Sequence, residues 1–381
     1  YKDVSGLLAM TTVTADPEAP VEDTLLLAMS DTLPAVNMDS LVKAQIDSIR
    51  QTTREITFPA GGKGMLTDFF RRAEQAKHDS LPLRILHYGD SQIENDRMTA
   101  LIRYRMQRVF GGTGCGMVPA IPLYSGNPTF RETYQGEMLR YTGFGERDST
   151  LTHNRFGSMV CFTAVPAMDE GEWPWLRFDF LPGRRASRFE QVRLFLHAHA
   201  DSNQVAFTVN DTLSDTIVCR NGGYRELTYT PAESASSLEI ALGLREGGCI
   251  YGVAFDSRNG VQVDNIALRG SSGIEFSRMD STLLARMLEA SNPGLILMQF
   301  GGNVVPYIEN FAYYSYAFKR ELKTLRKICP DVPIIVVGPS DMSRKVNGKF
   351  VTWESVEPVR DALKKAALQS GCGFWDLYEA M

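Results

Sequence analysis

The sequence has no Cys-x-x-Cys pair, no apolar run approaching 18 residues and no surplus of basic charge. Each absence removes a class of function. Its six cysteines, Cys115, Cys161, Cys219, Cys249, Cys329 and Cys372, lie far apart, which argues against a zinc ribbon or a thioredoxin-like redox site and leaves the redox compartment open. Without a long apolar run, nothing in it reads as a bilayer-spanning helix. A net charge of −5 and no Lys/Arg cluster exclude a surface built to neutralise phosphates, so nucleic acid is not expected as a partner. Histidine is scarce, at His78, His87, His153, His197 and His199. No signal peptide is visible, and a start at Tyr1 rather than Met is what a trimmed or processed export protein would show.

What is present is the composition of a folded protein, 44% hydrophobic and 22% charged, in a chain of 381 residues. At roughly 150 residues per domain this length suggests two or three units. Residues 1–60 show no sustained period and read as an N-terminal extension with one helix near Met38 to Gln51. Residues 61–124 read as a first α/β segment: a helical run through Leu66, Phe69, Phe70 and Ala73, then the apolar strand Leu83 to Tyr88, then a stop at Gly89. The next steps of three and four, Met98, Leu101, Ile102, Met106 and Val109, predict the buried stripe of a helix.

Residues 125–265 change to period-2 runs such as Leu176, Phe178, Phe180 and Leu238, Ile240, Leu242, Leu244. Turn formers at Asn221-Gly-Gly and Arg245-Glu-Gly-Gly separate them, which predicts an all-β sandwich. Residues 266–381 return to α/β alternation. A helix around Ser281 to Ala290 is followed by the strand Leu295 to Phe300, a helix from Tyr314 to Ile328, and the strand Ile334 to Val337. A helix near Ser355 to Ser370, ended by Gly371, precedes a last strand from Gly373 to Leu377. Apolar strands alternating with helices imply a parallel sheet covered on both faces, so the expected fold is a three-layer α/β domain split by an inserted β-sandwich.

Chemistry concentrates at strand ends. Acyl transfer by serine needs an exposed hydroxyl, a base and donors for the oxyanion. Ser91, in His-Tyr-Gly-Asp-Ser-Gln, follows a strand and precedes a helix, where open α/β sheets bind ligands and a helix N-terminus favours negative charge. The same Asp-Ser also fits the cap of a helix beginning near Arg97 or earlier. Two further strand ends bear on the choice. Leu268-Arg-Gly-Ser-Ser-Gly-Ile offers an exposed amide at Gly273, and Phe300-Gly-Gly-Asn offers the side-chain NH₂ of Asn303.

In this order the three segments resemble the blocks of the SGNH/GDSL hydrolase family. The resemblance implies Ser91 as nucleophile, with its own amide, the Gly273 amide and the Asn303 side chain forming the oxyanion hole. It implies a flavodoxin-like sheet and no metal or organic cofactor. Gln92 stands where the family motif has Leu, and Val304 where Asp often follows the Asn. The family's base lies in an Asp-x-x-His block after the last strand. None of the five histidines occupies that position, and the block is expected beyond Met381; a His from the sandwich or an inactive protein are the alternatives.

The stretch Gly89-Asp-Ser, Arg97-Met-Thr and Arg108-Val-Phe-Gly-Gly-Thr-Gly-Cys-Gly-Met-Val-Pro is similar to bacterial peptidoglycan O-acetylesterases with an inserted β domain. That implies a periplasmic, secreted or cell-surface esterase acting on an acylated glycan. An O-acetyltransferase and a non-catalytic glycan-binding protein share every visible residue. Oligomeric state is left open. His197 and His199 share a strand face but lack a third ligand, and Trp173 and Trp175 read as core or a sugar platform. Glu94, Asp96 and Arg97 read as a solvated first turn, and Gly111 to Gly116 as the rim of the cleft rather than a phosphate loop.

Overall fold

The computed structural model describes residues 55–381 apart from 63, 125 and 168–171. The helix expected near Met38 to Gln51 lies outside the described residues. Helix α1 (Gly64–Gln75) leads into β1 (Leu83–Gly89), which is buried along its whole length, and α2 (Thr99–Phe110) follows after a 3-10 turn at Glu94–Asp96. Then come β2 (Gly116–Val118), β3 (Phe130–Gln135), β4 (Leu139–Thr142), β5 (Cys161–Val165), β6 (Trp175–Phe180) and β7 (Gln191–Ala198). The run continues with β8 (Asn203–Val209), β9 (Thr212–Cys219), β10 (Gly223–Tyr229), β11 (Ser237–Gly243) and β12 (Gly248–Asp256). The chain closes with β13 (Val261–Ala267), α3 (Ser281–Ala290), β14 (Pro293–Gln299), α4 (Phe311–Ile328) and β15 (Ile334–Val337). A hairpin of β16 (Ser343–Val346) and β17 (Lys349–Thr352) precedes α5 (Val356–Gln369), β18 (Gly373–Trp375) and the short α6 (Leu377–Ala380).

Five parallel strands form one sheet in the order β13-β1-β14-β15-β18. This is a doubly wound order whose direction reverses beside β1, and ligands bind such sheets at the carboxyl ends of the strands flanking the reversal. The pleat divides β1 between two cores. Leu83 and Ile85 join Phe69 and Ala73 of α1, while Leu86 and Tyr88 join Leu284, Phe318 and Leu363 from α3, α4 and α5. The outer edge of the sheet is closed by earlier chain: Thr57 and Phe374 exchange both backbone hydrogen bonds at 2.8 Å.

Two antiparallel sheets, β10-β7-β12-β5-β4 with β2 on β12, and β3-β6-β11-β8-β9, face each other across a second core of Phe178, Leu194, Phe207, Leu238 and Phe255. Residues Phe162, Phe195 and Tyr251 of the first of these sheets pack on the α/β side. The seam holds the buried Arg84, 2.5 Å from Asp256 and 2.6 Å from Asp264, so β1 is locked to the end of β12 and to β13.

Three details depart from the sequence reading. The boundary drawn at residue 265 falls inside β13, whose seven residues pair in parallel with β1, and β2, placed in the first α/β segment, pairs with β12. The buried face of α2 follows the apolar stripe only in part: Ile102 and Met106 pack on the core beside α1, but Leu101 and Val109 are exposed, while Thr99, Arg103 and Gln107 are buried. Polar partners explain this, because Arg103 donates to the Val263 carbonyl and pairs with Asp96, and Gln107 donates to Gln262 and the Gly114 carbonyl. The Gly111 to Gly116 loop forms a buried seam rather than a rim. A Cβ at Gly114 would lie 2.1 Å from the Phe255 carbonyl oxygen, and one at Gly116 2.2 Å from Asp264 Oδ1.

Candidate active site

Ser91 is half-buried just past the carboxyl end of β1. Its turn is pinned from both sides. The Leu268 amide at the end of β13 donates to the Gly89 carbonyl at 2.7 Å, and the Asp90 amide donates to the Gln299 carbonyl of β14 at 3.2 Å. Asp90 closes the turn locally by accepting from the Gln92 amide at 2.9 Å. The capping alternative for Ser91 does not describe what is seen, since α2 starts at Thr99 behind Met98, with no side-chain cap. For the same reason no α-helix begins directly at Ser91, and the favourable helix end expected there is replaced by the 3-10 turn.

Gly273 and Asn303 are brought together by Ser271. The Gly273 amide donates to Ser271 Oγ at 2.8 Å, and Asn303 Nδ2 donates to the Ser271 carbonyl at 3.0 Å. Ser271 Oγ in turn donates to Glu275 at 2.6 Å, a carboxyl that burial pushes up to about 7. Gly273 has a φ of +78°, and a Cβ there would meet the rings of Phe300 and Phe318 at 2.8 Å, so glycine is required for packing as well as for conformation. The Gly301–Asn303 loop reaches the Ser91 turn through Asp90, whose carboxyl is raised by burial, with the Gln92 and Gly302 amides opposing that shift. Gly270, exposed with a φ of +81° and three residues beyond β13, presents a second amide that the sequence reading passed over.

Beside the Ser91 turn runs a directional chain of hydrogen bonds that sequence reasoning missed. Asn265 Nδ2 donates to Thr99 Oγ1 at 2.6 Å, and Thr99 lies 2.9 Å from His87 Nδ1. His87 Nε2 lies 3.2 Å from Gln299 Oε1, Gln299 Nε2 donates to Gln92 Oε1 at 3.2 Å, and Gln92 Nε2 donates to Ser340 Oγ at 2.6 Å. A consistent donor order puts the proton of His87 on Nε2 and leaves Nδ1 as acceptor. Burial lowers His87 to about 4, keeping it neutral. The chain ties the ends of β13, β1, β14 and β15 together beside the Ser91 turn, and it gives Gln92, the residue replacing Leu, a definite role.

Both ring nitrogens of His87 are thus engaged away from Ser91. His78 and His153 are exposed, His199 is held by the Glu246 carbonyl at 3.1 Å, and His197 stacks edge-on to it. Among the described residues no three His, Cys, Asp or Glu side chains are grouped to hold a metal ion, and no helix is long and apolar enough to cross a membrane. Glu94 is buried and paired with Arg269 rather than solvated, and Asp96 pairs with Arg103. Trp173 is half-buried against Gly243.

No family model and no curated protein sequence matches the chain. A solved peptidoglycan O-acetylesterase does match in structure, at 18% identity over 82% of this chain and 83% of the other, with a TM-score of 0.65. The chain shares the fold of that structure. Two weaker likenesses are a family two carbohydrate esterase from Cellvibrio japonicus and the salicylyl-acyltransferase SsfX3 from a tetracycline biosynthetic pathway. The first is 9% identical over 63% of this chain and 86% of the other, at a TM-score of 0.23. The second is 12% identical over 65% and 85%, at 0.26; scores this low do not establish a shared fold.

Proposed function

We propose that the protein is a serine esterase that removes acetyl or other short acyl groups from a glycan, peptidoglycan being the favoured one, outside the cytoplasm. The observation that carries the reading is the convergence of the Ser91 turn, the Gly270–Gly273 loop and the Gly301–Asn303 loop at the carboxyl ends of β1, β13 and β14. Ser91 Oγ attacks the ester carbonyl carbon, and the carbonyl oxygen takes the negative charge. Donors aimed at that oxygen supply the main stabilisation. The Ser91 amide, the Gly273 amide and Asn303 Nδ2 fill this role. The last two turn from Ser271 to the oxyanion, and Gly270 adds an amide on the same loop. Collapse breaks the bond between the acyl carbon and the sugar oxygen, which takes up the proton that Ser91 Oγ gave up on attack; water then adds to the acyl-enzyme, the acid leaves, and a proton of that water returns to Ser91 Oγ.

His87 is engaged at both ring nitrogens by Thr99 and Gln299, and the resemblance gives the task of activating Ser91 to an Asp-x-x-His segment following β18. The test is labelling of Ser91 by phenylmethylsulfonyl fluoride in the full-length protein, together with p-nitrophenyl acetate hydrolysis. Ser91→Ala is expected to lower turnover at least 10³-fold. Unchanged hydrolysis in that variant overturns the proposal.

A further inference from the structure

The loop carrying Asn303 runs on into a groove bordered by residues with no part in the chemistry above. It occupies about 450 Å³, within the roughly 300–1,000 Å³ of small-molecule sites, and Ser272, Val304, Tyr307, Glu309, Tyr313 and Tyr314 border it. Two of these residues expose large rings to solvent: Tyr307 is 84% and Tyr313 61% accessible. Tyr313 stands in the first turn of α4, set by Asn310, whose side chain accepts from the Tyr313 amide at 2.9 Å. Buried Tyr314 beside it donates to the Ser272 carbonyl at 2.9 Å, which fastens the groove wall to the Ser271–Gly273 loop.

We infer that this groove is a carbohydrate subsite, in which Tyr307 and Tyr313 offer aromatic faces to the sugars next to the acylated one; the inference rests on the glycan-esterase reading of the neighbouring site. The groove adjoins that site along the chain, since its lining residues Ser272 and Val304 are the direct neighbours of Gly273 and Asn303. A pyranose has an apolar C–H face and a polar rim of hydroxyls. The groove matches both, with exposed rings for the first and the Glu309 carboxylate as an acceptor for the second. Two rings left in water beside a reaction centre lose little conformational entropy on being covered, each having only two rotatable side-chain bonds.

Calorimetric titration of the chain carrying Ser91→Ala, with peptidoglycan glycan strands and with chitohexaose as probes, tests this without turnover. Adding Tyr307→Ala and Tyr313→Ala is expected to weaken binding of at least one probe tenfold or more. Tyr307→Phe with Tyr313→Phe is expected to bind within threefold of the parent. Equal binding by the Ala pair, binding lost equally in the Phe pair, or no binding of either probe at millimolar concentration overturns the inference. Failure of the esterase reading shows instead in the Ser91→Ala hydrolysis assay, which these titrations do not use.

Discussion

His87 is the residue whose environment most clearly separates its sequence reading from its structural role. Buried between Thr99 and Gln299, it is neutral in the folded protein down to about pH 4, while an ordinary histidine takes its proton near pH 6.5. Between those values the unfolded chain binds a proton that the folded chain refuses. Stability from this group is therefore complete above about pH 6.5 and is lost as pH falls towards 4, at a cost of order 2–3 kcal/mol. His87→Gln keeps donor and acceptor atoms but does not titrate. Its thermal midpoint is expected to fall less than the parent's between pH 7 and pH 4.5, and a parallel fall in both proteins would refute this. The place of Ser91 just past a strand end was legible because its signals are local: apolar strand, glycine, acid, serine. The hydrogen-bond chain beside it was not, because Asn265, Gln299 and Ser340 lie more than 150 residues from His87 and Gln92 and nothing in their identity names a partner.

Among the elements, α2 and the glycine loop after it show what hydrophobic period cannot reveal. The apolar stripe predicted the helix itself, and α2 is present, but it turns Arg103 and Gln107 inward to satisfy strand and loop carbonyls. Burial there follows hydrogen bonding, to which a count of apolar residues is blind. Glycine loops are equally ambiguous, since a rim and a seam use the same residue for different reasons. The seam has a measurable signature. Gly114→Ala would drive a Cβ into the Phe255 carbonyl at a positive φ and is expected to cost 3 kcal/mol or more. Gly111→Ala, with its nearest neighbour 3.8 Å away, should cost less, about 1–3 kcal/mol for its φ of 75° and ψ of −179° alone. Urea denaturation of the two variants decides it, and equal midpoints would contradict the seam. The exposed Tyr307 and Tyr313, before and within the first turn of α4, were invisible for a related reason: a tyrosine facing water and one facing the core read alike in a sequence.

At the scale of the whole molecule, one ionic knot joins the sandwich to the parallel sheet. Arg84→Met leaves Asp264 buried without its cation and Asp256 with only Arg193 at 3.8 Å, and is expected to destabilise the protein by about 3–5 kcal/mol. Adding Asp256→Asn and Asp264→Asn should return part of that loss in denaturant unfolding, and no recovery would show that the knot acts through packing alone. The architecture was legible in outline because period 2 and period 3.6 alternate in long blocks. The seam between the blocks was not, because β13 reads as one more strand of the sandwich until its partner is known.

That placement of β13 governs the order in which the protein can be built. The strand delivering Ser91, at residues 83–89, has its two neighbours at 261–267 and 293–299, with the entire sandwich between. On a ribosome β1 emerges long before either neighbour exists, whereas every strand of the second antiparallel sheet is complete by residue 243. Contacts this distant close slowly, so the insert reaches its own core while β1 still waits, and the Ser91 turn is among the last parts of the molecule to take shape.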